Sequence, residues 1–296
     1  MIGGLDRKQQ RAAYLFIAVP VGLLILFTLA PVVYAIFTSF TNYDIINPSK
    51  WVGLSNYTKM WKDPFFRLAL KNTLVYTALY IPPGLLVALG TALLLNRKRH
   101  FVSTFRVFFY LPVVASTVAS ATIWYWLLNP QEGLLNTVLR WFGVNGPAWL
   151  YDPNWAMVAI VIMSVWAGFG TNMLIILGGL QSIPRELYEA ARIDGASRYQ
   201  SLRHVTIPGL QRPIFLVTAL LIIGALQVFD QAYILTQGGP GNATLTIVYY
   251  IYNDGFLDLH MGYASAMSVV LFLIILVISL ANSKITNRDL TAAHKP

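Results

Sequence analysis

Hydrophobic and polar positions alternate along this chain in long blocks. Six intervals carry few charges and run about 20 or more residues, the length a helix needs to cross a hydrocarbon core of roughly 30 Å. They are Ala12 to Phe37, Ala69 to Leu95, Thr104 to Leu128, Trp155 to Gly179, Pro213 to Leu235 and Met261 to Asn282. This pattern predicts an all-α, polytopic membrane protein with about six transmembrane helices. The first run is longer than a signal-peptide core and lacks a small-residue cleavage site, so it reads as an anchor. Pro20 and Pro31 predict bends in it.

Several spans carry internal features that a plain anchor lacks. Pro82-Pro83-Gly84 near the middle of the second span predicts a broken hydrogen-bond ladder, which lipid forces against protein or a watery cavity. The third carries Leu111-Pro112, then Ser116, Thr117, Ser120 and Thr122, then Trp124, Tyr125 and Trp126. That aromatic cluster suits the membrane interface, with sugar stacking as the alternative. In the fourth, Ser164, Gly168 and Thr171 share one helix face with Ala167 beside them, which fits close helix packing or a cavity wall. The fifth places Gln227 near mid-depth, with Asp230 read as interfacial and Gln231 beside it. Leu134 to Phe142 predicts a short loop helix. Gln237 to Asn242 is turn-rich, and the aromatic TLTIVYYIYNDGF after it is too short to cross and is placed along the outer surface.

The interval Gln181 to Pro213, between the fourth and fifth spans, is the most charged. Ser182 is placed as the cap of a helix starting near Pro184, Asp194-Gly195 as its stop, and Ser197 as the cap of a second helix ending before Pro208. Leu187, Ala190 and Ala191 share one face of the first helix, while Arg185, Glu189 and Arg192 occupy others.

Composition agrees with the blocks: the 296 residues are 56% hydrophobic and 11% charged, with a mean hydropathy of +0.59. Cysteine is absent, which removes disulfides and thiolate metal sites. The net charge of +9 is informative by position, because Lys and Arg mark the cytoplasmic side. With the N-terminus inside, the inner stretches hold Arg7, Lys8 and Arg11, then Arg97, Lys98, Arg99 and Arg106, then Arg185, Arg192, Arg198, Arg203 and Arg212, and finally Lys284, Arg288 and Lys295. These are 15 of the 21 basic residues. The first outer stretch holds Lys50, Lys59, Lys62, Arg67 and Lys71 among Trp51, Tyr57, Trp61, Phe65 and Phe66, which suits an interfacial amphipathic helix. No basic groove is left for nucleic acid.

The chain has no G-x-x-x-x-G-K-[ST], no H-E-x-x-H and no G-x-S-x-G. His100, His204, His260 and His294 lie outside the spans or at their edges, and no two share metal-ligand spacing. Span interiors lack the mid-depth ionisable residues used by proton relays. Hydroxyls, amides, glycines and aromatics suit a neutral, hydroxyl-rich solute, and the energy for its movement has to come from elsewhere. A stand-alone carrier or channel is the alternative, and a membrane-embedded enzyme is disfavoured by the missing motifs.

Glu189-Ala190-Ala191, three residues, Gly195, nine residues, then Val205-Thr206-Ile207-Pro208 resembles the EAA loop of the membrane subunits of ABC importers. Val205 and Ile207 stand where that family has Ile and Leu. Phe105 to Trp126, Asp152-Pro153 to Gly168, and Thr236 to Asn242 resemble the carbohydrate-uptake branch of the same family, over about Asn72 to Leu280. The resemblance implies a type I importer permease fold forming half of a heterodimeric pore. Glu189, Ala190, Ala191, Asp194, Gly195 and Pro208 would couple it to a dimer of cytoplasmic ATPase subunits. ATP and Mg would be bound there, with no cofactor in this chain. A second homologous permease subunit and an extracytoplasmic solute-binding protein would complete the assembly in the bacterial inner membrane, with both termini cytoplasmic. The sugar path implied by motif alignment includes Val113 and Thr117, Ser164, Ala167, Gly168 and Thr171, and Ala225 and Val228, with Asn172 and Gln227 nearby. Several of these are apolar, which points to further contacts from the partner permease. The division that follows is 1–68 as anchor and first outer segment, 69–283 as transport core containing the coupling loop 181–213, and 284–296 as tail.

Overall fold

The computed structural model describes residues 7–96 and 102–292. Arg97, Lys98, Arg99 and Lys295, used above for orientation, and His100 and His294, weighed above as metal ligands, lie outside the described residues, as do the side chains of Arg7, Lys8, Arg11 and Arg288. All regular structure among the described residues is helical, apart from one isolated bridge between Thr41 and Trp51. Among the described residues, four helices are long and apolar enough to cross a membrane, and two bent helix pairs raise the number of spans to as many as six.

The chain forms two compact units. The first comprises residues 1–63 and 251–272. It opens with α1 (Arg7–Leu24), which passes through a π-turn at Ile25–Leu29 into α2 (Ala30–Thr38). The two prolines that predict bends are carried in one helix, Ala13–Thr38, with the π-turn between them. The segment after α2 folds back so that Asn42 N donates to Lys50 O and Val52 N to Phe40 O, at 3.0 and 2.8 Å, and Phe40 stacks on Trp51. α3 (Ser55–Lys62) follows, with Asn56 Nδ2 donating to the carbonyls of Ser39 and Thr41. The same unit contains the start of the last helix, where Gly262 N donates to Tyr43 O at 2.8 Å. A Cβ at Gly262 would lie 2.1 Å from Thr41 O, so only glycine fits that crossing.

The second unit comprises residues 64–250 and 273–296. α4 (Pro64–Leu95) runs unbroken through Pro82-Pro83, contrary to the predicted interruption. A proline fixes φ near the helical value, so the helix continues past the pair although both positions lack an N–H to donate. Gly84 is buried against Leu221, as a protein-facing position requires. The third span is two helices, α5 (Val102–Val114) and α6 (Thr117–Leu127), bent by 96°. Pro112 weakens the ladder just ahead of the bend, and Ser116 is extended, with ψ of 136°. α7 (Leu134–Trp141) matches the expected loop helix. α8 (Pro153–Ser182) is capped by Asp152, whose carboxylate accepts from Asn154 N at 2.9 Å.

After α8 come α9 (Arg185–Ile193) and α10 (Arg198–Ser201), a π-turn at Leu202–Thr206, α11 (Ile207–Gly209) and α12 (Gln211–Leu226). The expected single fifth span breaks at residues 227–229, and α13 (Asp230–Leu235) is separate. α14 (Ile247–Tyr252) and a π-turn at Asn253–Leu257 lead to α15 (Met261–Ala292). The segment from Thr244 to Tyr249 is not a surface strip: Thr244, Leu245, Thr246, Ile247 and Tyr249 are buried. Asn72 Nδ2 donates to the carbonyls of Asn242 and Leu245, and Ile247 N donates to Thr73 Oγ1. α4's polar side chains hold this segment in place.

α4 and α8 make the most extensive helix pair, with α12 packed on both and α5 on α8. Lipid removes the hydrophobic drive between helices, so close packing by small residues has to supply the attraction. Ala69, Ala88 and Ala92 on α4, and Ala156 and Ala159 on α8, are fully buried. Two apolar clusters result, one around Tyr76, Trp124, Ile160 and Met163 and the other around Met173, Ile176, Leu180 and Val217.

Candidate functional site

Two places collect the residues singled out by sequence. The first is the hairpin between α8 and α12. Its base is set by Gly179, where a Cβ would lie 2.3 Å from Pro213 Cγ, so α8 and α12 cross closely and residues 181–213 project from that crossing. Ser182 Oγ donates to Gly179 O within α8 and does not cap α9; Pro184 is the N-cap, with ψ of 137° and no side-chain bond. A serine at the end of a helix finds an i−3 carbonyl nearer than the next helix's amides.

The stop is as expected. Gly195 has φ of +75°, its N–H bonds Arg192 O at 3.0 Å, and Ala196 N–H bonds Ala191 O at 2.8 Å. These two bonds and the left-handed glycine make a Schellman motif. The next helix starts on a capping box, in which Gln200 N donates to Ser197 Oγ and Ser197 N donates to Gln200 Oε1. That helix does not end before Pro208. Ile207 keeps helical angles, because the π-turn at Leu202–Thr206 places Pro208 at the start of a new helical turn, where its missing N–H costs little. Tyr188 OH and Thr206 Oγ1 lie 3.1 Å apart and tie the two arms together.

Leu187, Ala190, Ala191, Asp194, Gln200 and His204 are among the residues lining a notch of about 410 Å³ between the arms. Glu189 is exposed outside it. Leu187, Ile193 (86% exposed) and Tyr199 (69%) present apolar surface on an otherwise charged hairpin. The hairpin thus presents small residues at the notch and apolar side chains at its rim.

The second place is a cavity of about 420 Å³ where the fifth span breaks. α12 ends at Leu226, Gln227 and Phe229 leave helical geometry, and Thr246 Oγ1 donates to Val228 O at 3.0 Å to satisfy the exposed carbonyl. Non-helical backbone at membrane depth persists only where protein covers it or water reaches it. Tyr76 and Tyr80, stacked with ring centres 5.5 Å apart, line the cavity with Ser164, Gln227, Asp230 and Gln231. A Cβ at Gly168 would lie 2.9 Å from Tyr80 OH, so the glycine leaves room for that hydroxyl.

Of the sequence-predicted path, Ser164, Gln227 and Val228 line this cavity and Gly168 borders it through Tyr80. Ala225 is fully buried in the apolar cluster beside Tyr76. Val113 packs at Gly170, where α5 crosses α8. Asn172 is buried and donates to Gly168 O of its own helix. Thr117, Ala167 and Thr171 are not among the cavity's lining residues. The sequence reading missed Tyr76 and Tyr80, whose i, i+4 spacing on the second span was the available signal; Asp230, read as interfacial, is also among the lining residues.

Long apolar helices around a polar cavity at a broken span, with a structured hairpin at one crossing, define a membrane transport subunit. The chain belongs to the family of binding-protein-dependent transport system inner membrane components, whose profile matches residues 80–288. It is 36% identical over 270 residues to the sulfoquinovosyl glycerol transport system permease protein of Agrobacterium fabrum strain C58, covering 90% of this chain and 88% of that one. It is 36% identical over 282 residues to the lactose transport system permease protein of Rhizobium radiobacter, covering 93% and 94%. Its fold is that of a bacterial ABC transporter involved in import of the acidic polysaccharide alginate, with a TM-score of 0.83 and 24% identity over 95% of this chain and 96% of that one. The chain is therefore a multi-pass inner-membrane permease subunit of an ABC importer, and ATP is bound by a partner ATPase subunit.

Proposed function

We propose that this permease imports a carbohydrate or polyol, forming half of the translocation pore with a second homologous permease. The cavity at the broken fifth span carries this reading: stacked tyrosines offer flat apolar faces and hydroxyls, and Ser164, Gln227 and Gln231 offer neutral hydrogen-bonding groups, the chemistry a sugar ring requires. The relatives named for lactose and sulfoquinovosyl glycerol transport support it. Asp230 is the single carboxylate of the lining and is suited to accept bonds from two adjacent hydroxyls. In this reading residues 69–283 are the transport core and 1–68 the anchor and first outer segment, with 284–296 as tail.

The hairpin 181–213 is the contact with a dimer of ATPase subunits on the cytoplasmic face. Glu189, Ala190 and Ala191 sit on its first helix, Asp194 and Gly195 form its turn, and Pro208 stands where the second arm returns to the bundle. Both termini are cytoplasmic, as the distribution of Lys and Arg supports. An extracytoplasmic binding protein delivers solute to the opposite side.

The test is uptake by proteoliposomes containing the permease pair, the ATPase and the binding protein. ATP-dependent entry of labelled lactose, or of another sugar from a small panel, is the expected result. Flux through the purified chain alone without ATP would instead establish a stand-alone carrier. Labelling of Glu189→Cys from the extracytoplasmic side of intact cells would overturn the coupling assignment.

A further inference from the structure

A second cavity, of about 520 Å³, lies at the opposite end of α13 from the one just described. The first turn of this six-residue helix, at Asp230 and Gln231, borders the central cavity, and its last residues, Ile234 and Leu235, border the second. At 1.5 Å per residue, the two spaces are separated by only about 9 Å of helix.

The lining of the second cavity differs from that of an unfilled packing defect. Tyr125 and Tyr151 meet hydroxyl to hydroxyl at 2.9 Å, although they come from α6 and from the loop before α8, and both rings stay exposed. Thr122 stands one turn before Tyr125, and its hydroxyl donates back to Val118 O, leaving its lone pairs to accept. Gln237 completes the wall in a left-handed conformation, with φ of +49°, that a non-glycine residue adopts only when its surroundings hold it there. They do so here. Thr244 Oγ1 donates to Gly239 O, and Thr236 and Thr244 share a 2.7 Å hydroxyl contact that fixes the turn below Gln237. The cavity is thus a rigid frame presenting two aromatic faces, a carboxamide and hydroxyls, and no charged side chain is among its lining residues. Its size falls within the range of small-ligand sites.

We propose that this second cavity is an outer carbohydrate subsite, occupied by the sugar units that extend beyond the central cavity when an oligosaccharide is translocated. Tyr125 and Tyr151 supply the stacking faces, and Gln237 and Thr122 the hydrogen bonds. The two cavities act in series along α13, so the outer one discriminates by chain length. The assignment rests on the carbohydrate reading above. It makes a distinct claim: which residues set the affinity for the second and later units.

The test uses the full transporter in proteoliposomes with labelled lactose and a ladder of arabinooligosaccharides of one to five units. Gln237→Ala and Thr122→Val are each compared with the parent, and Gln227→Ala at the central cavity serves as reference. For the longer sugars each outer variant is expected to raise KM about fivefold, the loss of one neutral hydrogen bond, with Vmax unchanged. For the shortest sugar imported KM should not move, whereas Gln227→Ala should raise KM at every length. Equal effects at all lengths, or none, overturn the outer subsite and leave the carbohydrate reading standing. A parent that imports no member of the set with ATP overturns both.

Discussion

Gly195 offers a test in which the energy comes from the backbone alone. Its φ is +75°, and nothing lies within 4 Å of the position a Cβ would take, so a substitution there meets no steric obstacle from its neighbours. The cost is the left-handed conformation itself, about 1–2 kcal/mol for an ordinary L-residue. Asparagine tolerates that region and should cost less. Valine, branched at Cβ, should cost more than alanine. Proline cannot reach it at all, because its φ is fixed near −65°, and it also deletes the N–H that bonds Arg192 O at 3.0 Å.

A penalty of 1–2 kcal/mol reduces the population of the correctly bent hairpin by roughly 5- to 30-fold against alternatives of similar energy. Both arms would remain helical, since the capping box at Ser197 and Gln200 starts the second arm independently of the turn. The readout is sugar imported per ATP hydrolysed in proteoliposomes with all partner subunits present. The expected order of coupling is glycine, asparagine, alanine, valine, proline, with assembly in the membrane unchanged. If proline retained parental coupling, or if asparagine fell as far as valine, the left-handed turn would not be what holds the hairpin in register.

Three further outcomes follow from the packing. Gly262→Ala places a methyl 2.1 Å from Thr41 O and should cost about 1–3 kcal/mol, read as a lower melting temperature of the purified protein in detergent; an unchanged melt would refute the close crossing. Asn72→Leu leaves the carbonyls of Asn242 and Leu245 without their donor and should destabilise by about 1–3 kcal/mol, while Asn72→Ser should recover none of it, being too short to span both; full stability in the leucine variant would refute the role. Asp254, 6% exposed and outside the membrane-spanning helices, has its pKa raised above 3.8, chiefly by burial and against the opposing hydrogen bond from His260. The native state therefore holds a proton that the unfolded chain has released, and stability falls as pH rises from 3.8 through the raised value. Asp254→Asn should raise the melting temperature at neutral pH, with a gain that shrinks as pH approaches 3.8; a gain independent of pH would refute the assignment.

The long apolar runs were legible because a span has to satisfy its backbone internally, and only a helix of sufficient length does so. The hairpin's turn and second cap were legible for a related reason: Gly195, Ser197 and Gln200 act through local bonds that depend on sequence spacing alone. The breaks were not, because they are decided by neighbours. Pro82-Pro83 reads as an interruption, yet α4 continues, its Gly84 packed on Leu221. No break was predicted at Leu111-Pro112, yet the chain turns by 96° soon after it. There α8 offers Gly170, which lets the backbone of Phe109 approach so closely that a Cβ would sit 2.7 Å from its carbonyl. Ser182 and Pro208 were misplaced by rules that treat each helix end alone, without the i−3 carbonyl of Gly179 or the π-turn at Leu202–Thr206.

The same breaks separate the polar residues of the bundle into two groups with different duties. A broken span exposes carbonyls and amides that lipid cannot satisfy, so nearby hydroxyls and amides are consumed in repairing them. Thr246 serves Val228, Asn72 serves Asn242 and Leu245, Thr73 serves Ile247, and Asn172 turns back onto Gly168 of its own helix. These residues direct hydrogen bonds to the scaffold, and composition alone could not distinguish them from solute ligands. Ser164 has given its own proton to Ile160 O and can still accept. Gln227 is exposed in the cavity, with Asp230 and Gln231 beside it and the stacked tyrosines opposite. In the proposed carbohydrate reading, the residues left for the solute are those at the break itself, where the backbone leaves the helix at Gln227.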